Sequence, residues 1–322
     1  MKNVMRFRSL DAWLQSRHGE KVLKIPLDAG SGCPNRDGTL GKGGCTFCNP
    51  LGAGTGMGRE SFAVQWDRWR ARLSQSPRSR RVEHFLGYIQ SFTNTYGPAS
   101  RLCALLDALA PLPGLVGASL GTRPDCLDEE KMAILAGVPW EDFWLEIGVQ
   151  SCRDETLFRI RRGHTVKQAE EAIALAAAFG VKVCVHLMAG LPGESGDDFL
   201  DTVRWAAAQP VQGVKLHNLY VPAETALAED WSAGRYQPLS QEDYVELAAR
   251  ALTLLPSSFV IHRLAADPAR GELLAPGWAA EKGLVLLAIR RMLEYNDWWQ
   301  GRACDVPAAS PFESEDGKSQ TA

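Results

Sequence analysis

The chain has 322 residues, 45% hydrophobic and 23% charged, with a net charge of −3: an ordinary globular balance that can bury one large core or two modest ones. That charge gives no global case for nucleic acid, although local basic patches remain open, and eight cysteines are too few and too irregular for a disulfide scaffold. No stretch approaches the roughly 20 apolar residues of a membrane span and the N-terminus lacks the apolar run of a signal peptide, so the expectation is a soluble chain in the reducing cytoplasm, with no membrane partner.

Residues 1–20 read as a helical lead-in. From there, apolar runs with strand character alternate with amphipathic segments. KVLKIPL (21–27) precedes a helix over 61–74, and EHFLGYIQ (83–90) one over 99–110. LVGASLG (115–121) is followed by 128–136, FWLEIGVQ (143–150) by 165–179, VKVCVHLMAG (181–190) by 196–208, and GVKLHNLY (213–220) ends the series. Six strands alternating with helices imply an α/β fold with a parallel sheet covered on both faces, because parallel neighbours need a crossover that returns the chain. This core spans 21–240. A C-terminal α/β extension over 241–305 holds a helix (241–255), a short strand (258–264) and a last helix (278–298). The tail, 306–322, is polar and proline-bearing and is expected to be disordered.

Cys33, Cys45 and Cys48 are concentrated in GSGCPNRDGTLGKGGCTFCNP, directly after the first strand, and in such sheets sites gather beyond the carboxyl ends of the strands. Three soft thiolates in a glycine-rich loop suit iron–sulfur or zinc ligation. The flanking Pro, Gly, Asn and Asp cannot build an apolar interior, which disfavours plain core packing. A structural zinc site closes four positions, yet no second CxxC exists and the other five cysteines are scattered. An iron with one open position is the better reading; a non-enzymatic zinc-binding module is the rival. LGAGTGMGRE (51–60) fails the GxGxxG spacing and lacks a P-loop ending, and reads as a flexible return into the next helix.

The trio at the end of a first strand resembles that of radical S-adenosylmethionine (SAM) enzymes. CPNRDGTLGKGGCTFCN, with YIQSFTNTY, GTRPD, LEIGVQS, RRGHT, GLPGE, VKLHNLYVPAETALAEDWSAGRY and HRLAADP in order from about Lys21 to Trp299, resembles the YhcC-like family, itself related to the radical SAM domain of Elp3. The resemblance implies a partial (β/α)6 TIM-like barrel and a [4Fe–4S] cluster on Cys33, Cys45 and Cys48, with SAM on the open iron. Reductive cleavage of SAM would then yield a radical that abstracts hydrogen from substrate, the cofactor carrying the hard chemistry.

The resemblance also points to residues. Gln90, Ser91, Phe92 and Thr93 stand where many relatives carry a glycine-rich run against the SAM amino group. Thr122 and Arg123 become SAM-pocket residues, an arginine fork suiting a carboxylate; Gln150 would reach the ribose hydroxyls, since an amide both donates and accepts. Arg162, rather than Arg161, would meet the SAM carboxylate, unless this is only a basic turn before the Thr165 cap. His186 would lie near the ribose, against the alternative of a satisfied core histidine. Lys215, His217 and Tyr220 are substrate candidates. The Elp3 likeness implies tRNA as substrate and a uridine as the modified base, with Arg68, Arg70, Arg72, Arg78, Arg80 and Arg81 as phosphate contacts, unless these only solvate a helix face. A protein or small metabolite is the competing substrate class, and the expected reductant is a flavodoxin or ferredoxin.

Overall fold

The computed structural model describes residues 5–52 and 54–304, so the tail expected to be disordered lies outside the described residues. After α1 (Leu10–His18), strand and helix alternate: β1 (Val22–Leu27), α2 (Phe62–Ser74), β2 (His84–Ile89), α3 (Ala99–Leu109), β3 (Leu115–Thr122), α4 (Glu129–Ala136), β4 (Asp142–Gln150), α5 (Asp154–Arg159), α6 (Val166–Ala178), β5 (Val183–Ala189), α7 (Gly196–Ala207) and β6 (Gly213–Asn218). Then come β7 (Val221–Pro222), α8 (Ala226–Ser232), α9 (Gln241–Leu254), β8 (Val260–Arg263), β9 (Leu273–Ala275) and α10 (Lys282–Tyr295).

Local chemistry sets the helix starts. Ser61 caps α2 through the Val64 amide, and Thr165 with Gln168 and Ser195 with Asp198 form reciprocal capping boxes on α6 and α7, each satisfying amides that have no partner within the helix. The main sheet is parallel, in the order β1-β2-β3-β4-β5-β6-β8. Its seventh member is the strand that the sequence reading places near 258–264 in the C-terminal extension: it pairs with β6, Lys215 facing Arg263, and so extends the barrel sheet. The helical α9 supplies the crossover that a further parallel strand requires.

Both faces of the central strands are covered. Leu145, Ile147 and Val149 of β4 pack in the main core under the helices, while Trp144 points the other way, into a smaller cluster with Trp13, Leu14 and Leu86. This second cluster is a plug beneath the bore. α1 lies on it, Trp13 edge-on to Trp144 at 5.2 Å, and is tied down by Arg17 and His18 bonded to the buried Asp142 at 2.7 and 2.6 Å. Above the plug, β4 turns Glu146, Gly148 and Gln150 to the cavity.

Gly117 shows how close the strands approach. A methyl there would sit 2.4 Å from the Asp142 carbonyl oxygen and 2.9 Å from its Cβ, atoms fixed in a neighbouring strand. Gly117→Ala is expected to cost about 1–3 kcal/mol through forced backbone shifts, whereas Gly283→Ala, on α10 with open space around it, should be neutral or stabilising. Thermal unfolding of the two variants checks this; equal melting temperatures would remove the steric account.

Candidate active site

The long β1–α2 loop folds over the carboxyl ends of the strands. Its turns are backbone bonds that glycine permits: Arg36 N–H donates to the Cys33 carbonyl at 2.9 Å, Gly44 N–H to Asn35 at 2.9 Å, and Cys48 N–H to Cys45 at 3.0 Å. Gly43 and Gly44 take positive φ, a conformation that costs glycine little. Thr46 N–H reaches the Ile160 carbonyl at 3.0 Å, which fastens the loop to the turn after α5. Cys33, Cys45 and Cys48 thereby line one cavity of about 560 Å³, a size typical of small-ligand sites.

Hydrogen-bond donors, two of them guanidinium groups, face the thiols. Arg36 donates to Cys48 Sγ at 3.3 Å, Arg162 to Cys45 Sγ at 3.5 Å, and the Asn35 amide to Cys45 Sγ at 3.6 Å. Burial and Cys45 push the Cys48 thiol up, against the pull of Arg36, so ligation must supply the charge that deprotonates it. Arg162 fits because Gly148 lacks a side chain: Nη2 donates to the Gly148 carbonyl at 2.7 Å, and a Cβ there would meet that nitrogen at 2.5 Å.

Gln90, Phe92 and Thr93 line the cavity, with Phe92 at φ 56°; Ser91 is buried behind them. The glycine run at 51–60 is packed rather than merely flexible, since a Cβ on Gly52 would strike the Phe92 ring at 2.5 Å and one on Gly54 the Ser91 hydroxyl at 2.3 Å. Thr122 lines the cavity and its hydroxyl meets that of Thr95 at 2.5 Å. The Arg123 guanidinium is paired with Asp125 at 2.9 Å and donates to the Arg162 carbonyl at 2.7 Å, so its fork positions the Arg162 turn. Gln150 has φ 78° and is nearly buried in the wall.

Deeper in the bore the strands carry charge where barrels ordinarily pack branched apolar side chains. Glu146 Oε2 accepts from Lys215 Nζ and from His186 Nε2 at 2.9 Å, Lys215 also donates to the Tyr88 hydroxyl at 2.8 Å, and His262 lies 3.5 Å from Oε1. Burial would raise the Glu146 carboxyl, but Lys215 and the two histidines outweigh it and hold the group well below its ordinary value. Burial lowers His186 to about 4, with Lys215 adding to the fall, and likewise drives His217 well down. Lys215 is fully buried under this pair and does not reach the cavity wall, whereas His217 and Tyr220 do. Tyr220 lies just past β6 and donates to Glu272 at 2.6 Å. Sequence reasoning missed Arg36, Glu146, Lys24 and Arg263; for the three on strands the available signal was a charged residue inside an apolar run, as in KVLKIPL and FWLEIGVQ.

An open parallel half-barrel with three loop cysteines over its carboxyl-end cavity defines a class of enzyme. Residues 29–206 match the Radical SAM superfamily and 211–295 the Radical_SAM C-terminal domain; the chain belongs to the radical SAM superfamily and is an enzyme of that superfamily. It is 34% identical over 306 residues to protein YhcC of Escherichia coli (strain K12), covering 93% of this chain and 96% of that one. It is 33% identical over 300 residues to YtqA of Bacillus subtilis, 92% of each. Elongator complex protein 3 of Mus musculus is 36% identical over 157 residues, 47% of this chain but 28% of that protein. Methanocaldococcus infernus Elp3 shares the fold, with a TM-score of 0.66 at 20% identity over 88% of this chain and 64% of that one. The sheet is thus the radical SAM partial TIM barrel.

Do the residues fit the cofactors of that superfamily? Among the described residues, no three His, Cys, Asp or Glu side chains converge on one ion. Thiols that share a cavity without converging suit a cluster that offers each its own iron. Buried polar atoms without partners, Gln150 Oε1, Thr93 Oγ1 and Arg162 Nε, sit in residues of the same wall. Such atoms are costly unless a ligand satisfies them. The residues fit.

Proposed function

We propose that Cys33, Cys45 and Cys48 hold a [4Fe–4S] cluster, that SAM binds beside it, and that the chain abstracts hydrogen from a tRNA uridine. The presentation of three thiols to one cavity, with guanidinium donors on two of them, carries the reading. When bound, the cluster and SAM supply reductive cleavage of the sulfonium and a radical that removes hydrogen.

The chain's own residues bind, orient and exclude water. Arg162 and Arg36 donate to the thiol sulfurs, a contact that tunes a cluster's charge. Arg162 also stands where the SAM carboxylate is expected, its Nε free to donate. The Gln150 amide suits the ribose diol and the Thr93 hydroxyl the amino group, with Gln90, Phe92 and Thr122 shaping the wall. His186 stays neutral at physiological pH, fixed by Glu146, and holds the floor near the ribose. His217 and Tyr220 face the substrate side.

The likeness to elongator complex protein 3 and the run of exposed arginines at Arg68, Arg70, Arg72, Arg78, Arg80 and Arg81 support tRNA, because phosphate contacts give affinity that falls with salt. A flavodoxin or ferredoxin would deliver the electron. Anaerobic reconstitution with iron and sulfide, then a reductant and SAM, is expected to release 5′-deoxyadenosine, and deleting the gene should change the tRNA nucleoside profile. No 5′-deoxyadenosine would end the central claim; an unchanged profile with salt-insensitive RNA binding would move the substrate to a protein or metabolite.

A further inference from the structure

Two cations in the bore have no counter-ion. Lys24 on β1 and Arg263 on β8 both line the cavity, and neither side chain has a hydrogen bond or ion pair among the described residues; Lys24 only lies over the Tyr88 ring, at 5.4 Å. The one carboxylate of this layer, Glu146, bonds Lys215 and His186 through Oε2, with His262 3.5 Å from Oε1; it raises the Lys24 amine through space but forms no ion pair with it. The other cavity carboxylates lie past the strand ends and are engaged, Asp267 by Lys282 at 2.6 Å and Glu272 by Asn49 and Tyr220. His186 and His262 stay neutral at physiological pH and add no further positive charge.

Unpaired charges withdrawn from water are expensive. β1 and β8 are the two edge strands of the open sheet, so the two cations stand on either side of its seam. Arg263 is near enough to depress the Lys24 amine, which burial first and then Lys215 lower to about 7. An anion between them would relieve both cations at once, one by the arginine fork and the other as a point charge.

We infer that Lys24 and Arg263 form a subsite across the barrel seam for a compact oxyanion, a carboxylate or a phosphate, carried by the substrate. The inference rests on the proposed radical SAM reading for the identity of the cavity. The SAM carboxylate is expected elsewhere, at the cysteines with Arg162, so the oxyanion is the substrate's own. An acidic group held at the seam would fix the neighbouring carbon below the cysteines, and the subsite would favour acidic substrates over their neutral analogues.

Melting temperature in acetate or inorganic phosphate, against chloride at equal ionic strength, tests this without cofactor turnover. A tenfold excess over Kd should raise the wild-type value by about 2 °C, and the two anions show which oxyanion is preferred. Lys24→Met and Arg263→Met should lose the rise; Lys24→Arg and Arg263→Lys should keep it. The acetate effect should weaken by about tenfold in affinity between pH 6 and pH 9 as the Lys24 amine loses its proton, in surroundings set by Tyr88, Glu146, Cys184, Lys215, His262 and Arg263. An unaltered rise in both Met variants overturns the subsite. So does a SAM affinity, by equilibrium dialysis, that falls in parallel with the anion response, since the site would then belong to the cofactor. Failure of the radical SAM reading is separate, being read as absent 5′-deoxyadenosine in the wild type.

Discussion

Cys45→Ala should bring bound iron after anaerobic reconstitution from about four atoms per chain to background, and abolish 5′-deoxyadenosine formation. Cys45 is the most buried of the proposed ligands and receives both the Arg162 and the Asn35 donor, so its loss removes a thiolate and leaves a guanidinium facing an apolar methyl. Cys126→Ala is the control. Its thiol is buried close enough to feel Cys33, yet burial and Asp125 push it up to about 12. It therefore stays protonated at neutral pH, and iron content should not change when it is removed. Iron retained in Cys45→Ala, or lost equally in both variants, would show that the thiols of the loop do not hold the metal.

The βα alternation was legible because its signal is local: apolar runs of seven to ten residues alternating with amphipathic helical segments. The cysteine loop was legible because its spacing and composition fit little else. What escaped was long-range. The strand near 258–264 looks, from its own residues, like part of an appendage; only its register against β6 makes it a seventh barrel strand. Arg123 fits a carboxylate-binding role in sequence, but three-dimensional packing gives its fork to Asp125, two residues away. Arg36, sitting between two of the cysteines, carried no signal of its own, because donation to Cys48 depends on how the loop closes. Lys24 and Glu146 stood out only as charges inside apolar runs, and their partners were not legible, since the pairing of an interior charge is fixed by side chains far apart along the chain, 69 residues for Glu146 and Lys215.

That pair should dominate the stability of the bore. Glu146 and Lys215 are both fully buried; burial would lower the Lys215 ammonium, but Glu146 and Tyr88 raise it above its ordinary value. Glu146→Gln keeps the shape and removes the charge, leaving Lys215 without an anion, which is expected to cost about 3–5 kcal/mol. Lys215→Met added to it should recover more than half of that loss, because the uncompensated ammonium is what costs most. The pH dependence has a definite sign. A carboxyl held below 4.5 in the folded state contributes stability above that value and loses it as pH falls through the folded value. The gap between wild type and Glu146→Gln should therefore be level from pH 7 to about 4.5 and narrow below. The wild type will weaken earlier: His186 and His262, lowered from 6.5 to about 4 and about 3 by burial, take up protons more readily unfolded, so stability falls as pH drops below 6.5. Denaturant melts across this range check both. A Glu146→Gln loss under about 1 kcal/mol would mean that Lys215 sheds its proton or finds water, and that the pair does not anchor the bore.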